Sequence, residues 1–252
     1  SGNTINGITT TSGAPRGIVV SSNASLANVS VSGNTVTGLT SSSSGTTTGI
    51  YVLSGTGGVD IQNNQVSNIK NTSTTGFGAN GIQLGSSLTA ANINVRNNFI
   101  WDVAGDGFNG TDLTDNGYGI IVVSGGGYNI DHNTVHMNTD QPDAVGISAA
   151  INIQDGVTTA GALNIRNNIF VNTQTLGTRY AIISEAPNSV FNVIDYNDYF
   201  SSGTNVGLIQ GVTAADLTAM QTLFGGNTNS VVFNPTFVSG TDLHLSNAPG
   251  AN

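Results

Sequence analysis

Several kinds of residue are scarce in this chain, and each shortage removes a class of protein. The 252 residues include no cysteine, so no disulfide framework holds the fold together. Lysine and arginine together number 5 against 14 acidic residues, which leaves no basic footprint for nucleic acid. No apolar run approaches the roughly 18 residues of a membrane span. We therefore expect neither nucleic-acid binding nor membrane insertion.

The residues that are plentiful point to a compartment. Only 8% of the chain is charged, the formal net charge is -9, and 34 residues are glycine. A surface rich in serine, threonine, asparagine and glycine but poor in charge is common in secreted bacterial proteins. We therefore expect an extracellular or cell-surface protein that is stabilised by stacking.

A short asparagine-centred phrase recurs along the chain, as in "IQNNQVSNI", "VRNNFIWDV" and "IRNNIFVNT". The recurring asparagines lie 29 to 35 residues apart and are Asn3, Asn34, Asn64, Asn98, Asn133, Asn168 and Asn197. Periods of this size are typical of stacked repeat architectures. We expect these asparagines to form a structural ladder in which each takes the left-handed residue of a tight turn.

A second phrase, G-I-x-V, runs at the same period and out of phase with the first. It begins at Gly17, Gly49, Gly81, Gly119, Gly146, Ala181 and Gly207. With an alternating V-x-I run before each asparagine and another strand after it, each period contains three short strands. The sequence predicts an all-β chain of about seven rungs, in which three parallel sheets repeat every 4.8 Å or so. Crossovers between parallel strands favour a right-handed coil.

These rungs resemble the right-handed parallel β-helix of the pectate-lyase-like superfamily, in which an inward asparagine ladder occupies one tight turn. The resemblance covers roughly residues 1 to 210. The closing stretch "SVVFNPTFVSGTDLHLSNAPGAN" is similar to the end of many bacterial secreted β-helix proteins. Both similarities imply a fold and leave the activity open.

The chain divides into a predicted β-helix over residues 1–210 and a closing segment over 211–252. The closing segment is predicted to hold a helix over 213–224 and terminal strands that pack on the last rungs. Thr213 is the expected N-cap of this helix and Gly225 its stop.

In the superfamily that the chain resembles, the G-I-x-V sheet usually forms the substrate groove. Its predicted outward column is Val19, Tyr51, Gln83, Ile121, Ser148, Ile183 and Ile209. This column has no carboxylate or basic residue, although a lyase or hydrolase needs an acid or base over the sugar. Arg179 beside the sheet and Asp140 in "NTD" are the remaining catalytic candidates. Tyr51, Tyr118 and Tyr180 are candidates for stacking on a sugar.

The acidic residues cluster in two successive loops that lead into the groove sheet. They are Asp106, Asp112, Asp115, Asp140 and Asp143. Carboxylates that alternate with glycine and asparagine suit calcium, which takes six to eight oxygen ligands. The alternative is that such residues are simply what loops contain.

Two further outward columns stand near the asparagines. The column after them is Thr37, Ser67, Trp101, His136, Val171 and Phe200. Its apolar part predicts that a loop, a partner or a sugar covers it, so Trp101 and His136 are ligand-binding candidates. The column two residues before them includes Arg96, Asp131, Arg166 and Asp195, whose alternation predicts an ion-pair ladder or, alternatively, a lyase base at Arg96 or Arg166.

Taken together, the sequence predicts a non-catalytic structural or adhesive module of a bacterial surface protein, which binds a glycan or forms filaments. The first rung already carries apolar core residues and free strand edges, so we expect this end to be covered, either by preceding residues of a longer precursor or by a neighbouring subunit stacked end to end. Lateral self-association is also expected, and the expected partner is a polysaccharide or another protein subunit. The alternative is a polysaccharide lyase or glycoside hydrolase acting on an acidic polysaccharide.

Overall fold

The chain forms a parallel β-solenoid of about six turns, as the repeats predict. A computed structural model describes residues 1–75, 77–106 and 112–246. Within these residues, three sheets run along the coil, with seven, eight and six strands. The count of turns is slightly below the predicted seven because the smallest sheet has only six strands.

Sheet A contains the strands that follow the recurring asparagines. Its strands, in order across the sheet, are β1 (Thr4–Thr10), β4 (Thr35–Ser41), β7 (Gln65–Asn71), β10 (Phe99–Gly105), β13 (Thr134–Met137), β16 (Ile169–Asn172) and β19 (Asp198–Ser201). All neighbours are parallel.

Sheet B contains the G-I-x-V strands. Its strands are β2 (Arg16–Val20), β5 (Thr47–Val52), β8 (Ala79–Leu84), β11 (Gly117–Ser124), β14 (Ile147–Gly156), β17 (Thr178–Ser184), β20 (Gly207–Ile209) and β21 (Val212–Ala214). The last strand, β21, is antiparallel to β20, whereas the other pairs are parallel.

Sheet C contains the V-x-I strands. They are β3 (Val29–Ser32), β6 (Val59–Gln62), β9 (Ile93–Arg96), β12 (Tyr128–Asp131), β15 (Leu163–Arg166) and β18 (Phe191–Asp195). In β6 the alternation places Val59 and Ile61 in the core, while Asp60 and Gln62 lie half-buried on the outer face.

The predicted asparagine ladder is confirmed in its hydrogen bonds. The side-chain oxygen of each asparagine from Asn34 to Asn197 accepts from the main-chain N–H and the amide of the asparagine one turn before. The ladder closes where the N–H of Asn197 donates to Ser230 Oγ at 3.0 Å.

The turn geometry differs from the expectation in one respect. The left-handed residue is the one before each ladder asparagine, and these residues are Gly2, Gly33, Asn63, Asn97, His132, Asn167 and Tyr196. Because that residue makes the turn, the ladder asparagine keeps its side chain pointing inward to bond along the stack.

Glycine in the G-I-x-V phrase has a packing role. A Cβ at Gly81 would lie 2.5 Å from the carbonyl oxygen of Gly119 and 2.5 Å from Ile100 Cγ2. Sheets A and B therefore approach so closely at this corner that, in the early turns, this position has no room for a side chain. Later turns place Ala150 and Ala181 in the corresponding part of the core.

The helix in the closing segment, α1, spans Leu217–Phe224 and is shorter than the predicted 213–224. Asp216 is its N-cap and accepts from the N–H of Ala219. The predicted N-cap, Thr213, lies instead in β21, which pairs with β20. Gly225 ends the helix in a left-handed conformation, as expected. Met220 and Phe224 pack against the last turns. Residues 247–252 of the predicted closing segment lie outside the described residues.

No helix among the described residues is long and apolar enough to cross a membrane.

Candidate functional site

The outer surface of sheet B, here called the groove face, is where the sequence placed most candidate residues. Its central column is Val19, Tyr51, Gln83, Ile121, Asn152, Ile183 and Leu208. The predicted Ser148 and Ile209 are therefore wrong for this column. In β14 the phrase equivalent to "GIIV" is "AINI" from Ala150, because Ile151 pairs with Ile120. In β20 the residue that pairs with Ile183 is Leu208, one position earlier than the predicted Ile209.

The early turns leave one part of the groove face open. The half-buried Tyr51 ring has the Arg16 guanidinium 4.7 Å from its centroid. On the next strand, Gln83 Oε1 accepts from Thr48 Oγ1 and from the Asn80 amide, both at 3.3 Å. An aromatic ring, a cation and amides on one flat surface form what we call the tyrosine platform. Such a combination suits sugar rings and their hydroxyls.

The middle of the groove face is covered by the chain itself. Leu113 lies over a cluster of apolar residues on this face, namely Tyr118, Ile121, Ala149, Tyr180 and Ile183. The Leu113 carbonyl accepts from the Tyr118 hydroxyl at 2.7 Å and from the Asn152 amide at 2.8 Å. Tyr118 is 0% exposed, and burial raises the pKa of its hydroxyl far above the usual value. Tyr118 therefore has no surface for a sugar, and Tyr180 has little.

Four carboxylates border this cover, and we call the region around them the acidic cleft. They are Asp112, Asp115, Asp155 and Glu185. Burial, then the charges of Asp155 and Asp112, raise the pKa of Glu185 above its usual range. Burial and Asp112 likewise raise the pKa of Asp115. A cleft of about 470 Å³ opens beside two of these carboxylates, Asp155 and Glu185, and is also lined by Pro187, Gln210 and Gly211.

The sequence analysis overlooked Asp155 and Glu185. A signal was present, since each acid lies at or just after the end of a groove-sheet strand, in "INIQD" and "AIISE". Only the stacking of turns brings the two together with Asp112 from the covering loop.

The five residues predicted to bind calcium fall into three places. Asp112 and Asp115 border the acidic cleft, and Asp106 lies beside Asp143. Asp140 stands apart and accepts from the Thr175 hydroxyl at 2.6 Å and from the N–H of Leu176 at 3.2 Å. Across residues 1–75, 77–106 and 112–246, no three acidic or histidine side chains converge as a metal site made of such groups alone would need.

The two catalytic candidates, Asp140 and Arg179, hold a turn. Arg179 donates to the carbonyls of Thr175 and Gly177 at 2.9 and 2.7 Å. Burial is the largest single influence on Asp140 and acts to raise its pKa, but the hydrogen bonds from Thr175 and Leu176 and the charge of Arg179 together outweigh burial and lower the pKa. Asp140 and Arg179 therefore fix the loop before β17, because Asp140 accepts hydrogen bonds from this loop and Arg179 donates to its main-chain carbonyls.

The apolar column of sheet A is covered by the closing segment. The ring of His136 lies 5.0 Å from that of Phe237, and Phe99 lies 4.9 Å from His244. The Asn138 amide donates to the Gly240 carbonyl at 2.8 Å. Burial lowers the pKa of His136 to about 4. Of the predicted covers, a loop of the same chain is therefore the one observed, and Trp101 lies half-buried in this column next to His136.

Sheet C carries a polar ladder on its outer face that the sequence analysis did not find. Each amide donates to the side-chain oxygen of the preceding member at 2.7 to 2.9 Å, through Asp60, Asn94, Asn129, Asn164 and Asn192. The predicted ion-pair ladder beside it is wrong. Arg96 pairs instead with Asp60 at 3.3 Å, although Asp131 is its register partner on the next strand.

Comparison with family models, with curated proteins and with solved structures gave no significant match to this chain.

Proposed function

We propose that this chain is a rigid, non-catalytic module of a bacterial cell-surface or secreted protein, which contacts a glycan through the tyrosine platform. The observation that carries the proposal is the platform itself: Tyr51, Arg16 and Gln83 are accessible on the open part of the groove face. Extracellular placement is supported by the abundance of serine, threonine, asparagine and glycine and by the low content of charge.

The scaffold supports a structural role. The asparagine ladder runs through the turns without interruption, and a single core cluster extends from Val20 to Phe224. Groups mounted on such a stack keep fixed distances, which favours repeated contacts with an extended polymer. Another protein subunit, including a second copy of this chain, is the other class of partner that we propose.

Affinity electrophoresis against neutral and acidic polysaccharides tests the platform. We expect one of these polymers to retard the protein, and Tyr51→Ala to weaken binding about 3- to 10-fold, as for the loss of one aromatic contact. The matched control is Tyr196→Ala, because Tyr196 is 56% exposed but belongs to the turn between sheets C and A. Equal weakening by both variants, or no retardation by any polymer, contradicts the proposal.

A second candidate function is hydrolysis or lyase cleavage of an acidic polysaccharide at the acidic cleft. It is favoured by one observation, the raised pKa of Glu185 in a cleft that Asp155 also lines, because glycosidases use a pair of carboxyl groups of which one is an acid whose pKa its surroundings raise. Glu185→Gln removes the acid while preserving side-chain shape. Product formation that this variant abolishes identifies the cleft as catalytic.

A further inference from the structure

The carboxylate of Asp106 is buried without compensation. Asp106 directly follows β10 and is only 3% exposed. Among the residues that the structure describes, neither oxygen has a well-formed hydrogen bond, although the main-chain N–H of Asp143 lies nearby. A buried charge without partners costs several kcal/mol, so structures normally pair such a group or let it coordinate a metal.

A second carboxylate lies next to it. Asp143 comes from the loop after β13, one turn further along, and after burial its charge is the largest influence that raises the pKa of Asp106 to about 6. The main-chain N–H of Asp143 lies near enough to oppose this shift in part. Gly146 closes the other side, since a Cβ there would lie 2.3 Å from Asp106 Oδ1. The two loops therefore bring a negative pair together in a confined space.

A proton does not resolve this arrangement fully. Protonation of Asp106 removes the repulsion and supplies a donor that the neighbouring Asp143 carboxylate can accept, but it leaves the other Asp106 oxygen without a partner. A hard cation coordinates the oxygens and neutralises both charges. Calcium accepts carboxylates together with main-chain carbonyls, side-chain amides and water in flexible geometry.

We propose that Asp106 and Asp143 bind a calcium ion that ties the loop after β10 to the loop after β13. Since two carboxylates are fewer than calcium needs, carbonyl oxygens and water complete its coordination. The proposal is independent of glycan binding. It assigns the metal to two of the five predicted acids and excludes Asp112, Asp115 and Asp140.

Thermal unfolding of the whole chain in calcium and in chelator, at equal ionic strength, tests the proposal. With calcium at about a hundredfold excess over its Kd, we expect the Tm of the wild type to rise by roughly 5–10 °C. Asp106→Asn and Asp143→Asn should each lose this shift. Asp112→Asn, which changes an acid of the same loop, should keep it. Isothermal titration of the wild type with calcium chloride should give one ion per chain.

Each other outcome overturns the assignment. A wild-type Tm that is the same in calcium and chelator, with no heat of binding, removes the metal. If Asp106→Asn is also more stable than the wild type at neutral pH, Asp106 is held as a neutral acid. Loss of the shift in Asp112→Asn, with its retention in Asp143→Asn, moves the site to the acidic cleft. If Asp106→Asn does not fold, Asp143→Asn and the titration decide.

Discussion

Replacing Asn98 with alanine probes the inner ladder most sharply. The side chain is 0% exposed, and its oxygen accepts from the N–H and the amide of Asn64 at 3.0 and 2.9 Å. Its amide donates to the Ile61 carbonyl at 3.0 Å and to Asn133 Oδ1 at 2.9 Å. Alanine leaves the Asn64 N–H and the Ile61 carbonyl without these bonds, while Asn133 Oδ1 still accepts from the Asn98 N–H.

Two or three buried polar groups thus lose a hydrogen-bond partner, and each loss costs about 1–3 kcal/mol. Asn98→Ala should therefore lower the free energy of unfolding by roughly 3–6 kcal/mol. The matched control is Asn129→Ala in the outer ladder of sheet C. Asn129 also bonds to asparagines on both sides, at 2.9 and 2.8 Å, but it is half-buried and water replaces its partners. We expect a loss of about 1 kcal/mol or less there.

Urea unfolding followed by circular dichroism measures both variants, and unchanged m-values indicate that the shift reports stability. Losses of similar size in Asn98→Ala and Asn129→Ala would refute the reasoning, because burial of the inner ladder would then carry no special weight.

Two further predictions concern the closing segment. Burial raises the pKa of Asp198 to about 6, above its unfolded value, so its charged form costs stability that is regained as the pH falls from 6 towards 4. Asp198→Asn keeps an acceptor for the Phe233 N–H. In urea unfolding, this variant should gain about 1–2 kcal/mol in the free energy of unfolding at pH 7 but nothing near pH 4. An equal gain at both pH values contradicts this prediction. Phe237→Ala should admit water to His136 and raise its pKa from about 4 towards 6.5 in an NMR titration, whereas an unchanged pKa means that other residues bury the ring.

The periodic features of this chain were readable from sequence because stacking repeats them at every turn. Asn64, Asn98 and Asn133 occupy equivalent places, and all three bond as predicted. The outer ladder was equally readable, since Asn94, Asn129 and Asn164 each precede a ladder asparagine by four residues. It went unrecognised because the pattern was followed only at positions nearer to the asparagine.

The aperiodic features were not readable in the same way. Gly146 imitates the start of a G-I-x-V strand, but pairing of Ile151 with Ile120 places Ala150 in that role. The contact of Asn138 with Gly240 joins residues 102 positions apart, and no local pattern reports such a distance. The cover over Tyr118 and the meeting of Asp155 with Glu185 likewise arise from loop packing between turns.

Product release from acidic polysaccharides tests the proposed non-catalytic role most directly. The wild type and Glu185→Gln are incubated with pectate, alginate and galacturonan, with and without calcium, and unsaturated and reducing sugar ends are measured. We predict no release by the wild type beyond that of Glu185→Gln under any condition. Release by the wild type that is lost in Glu185→Gln, or in Arg179→Ala, would contradict the account and make the chain an enzyme.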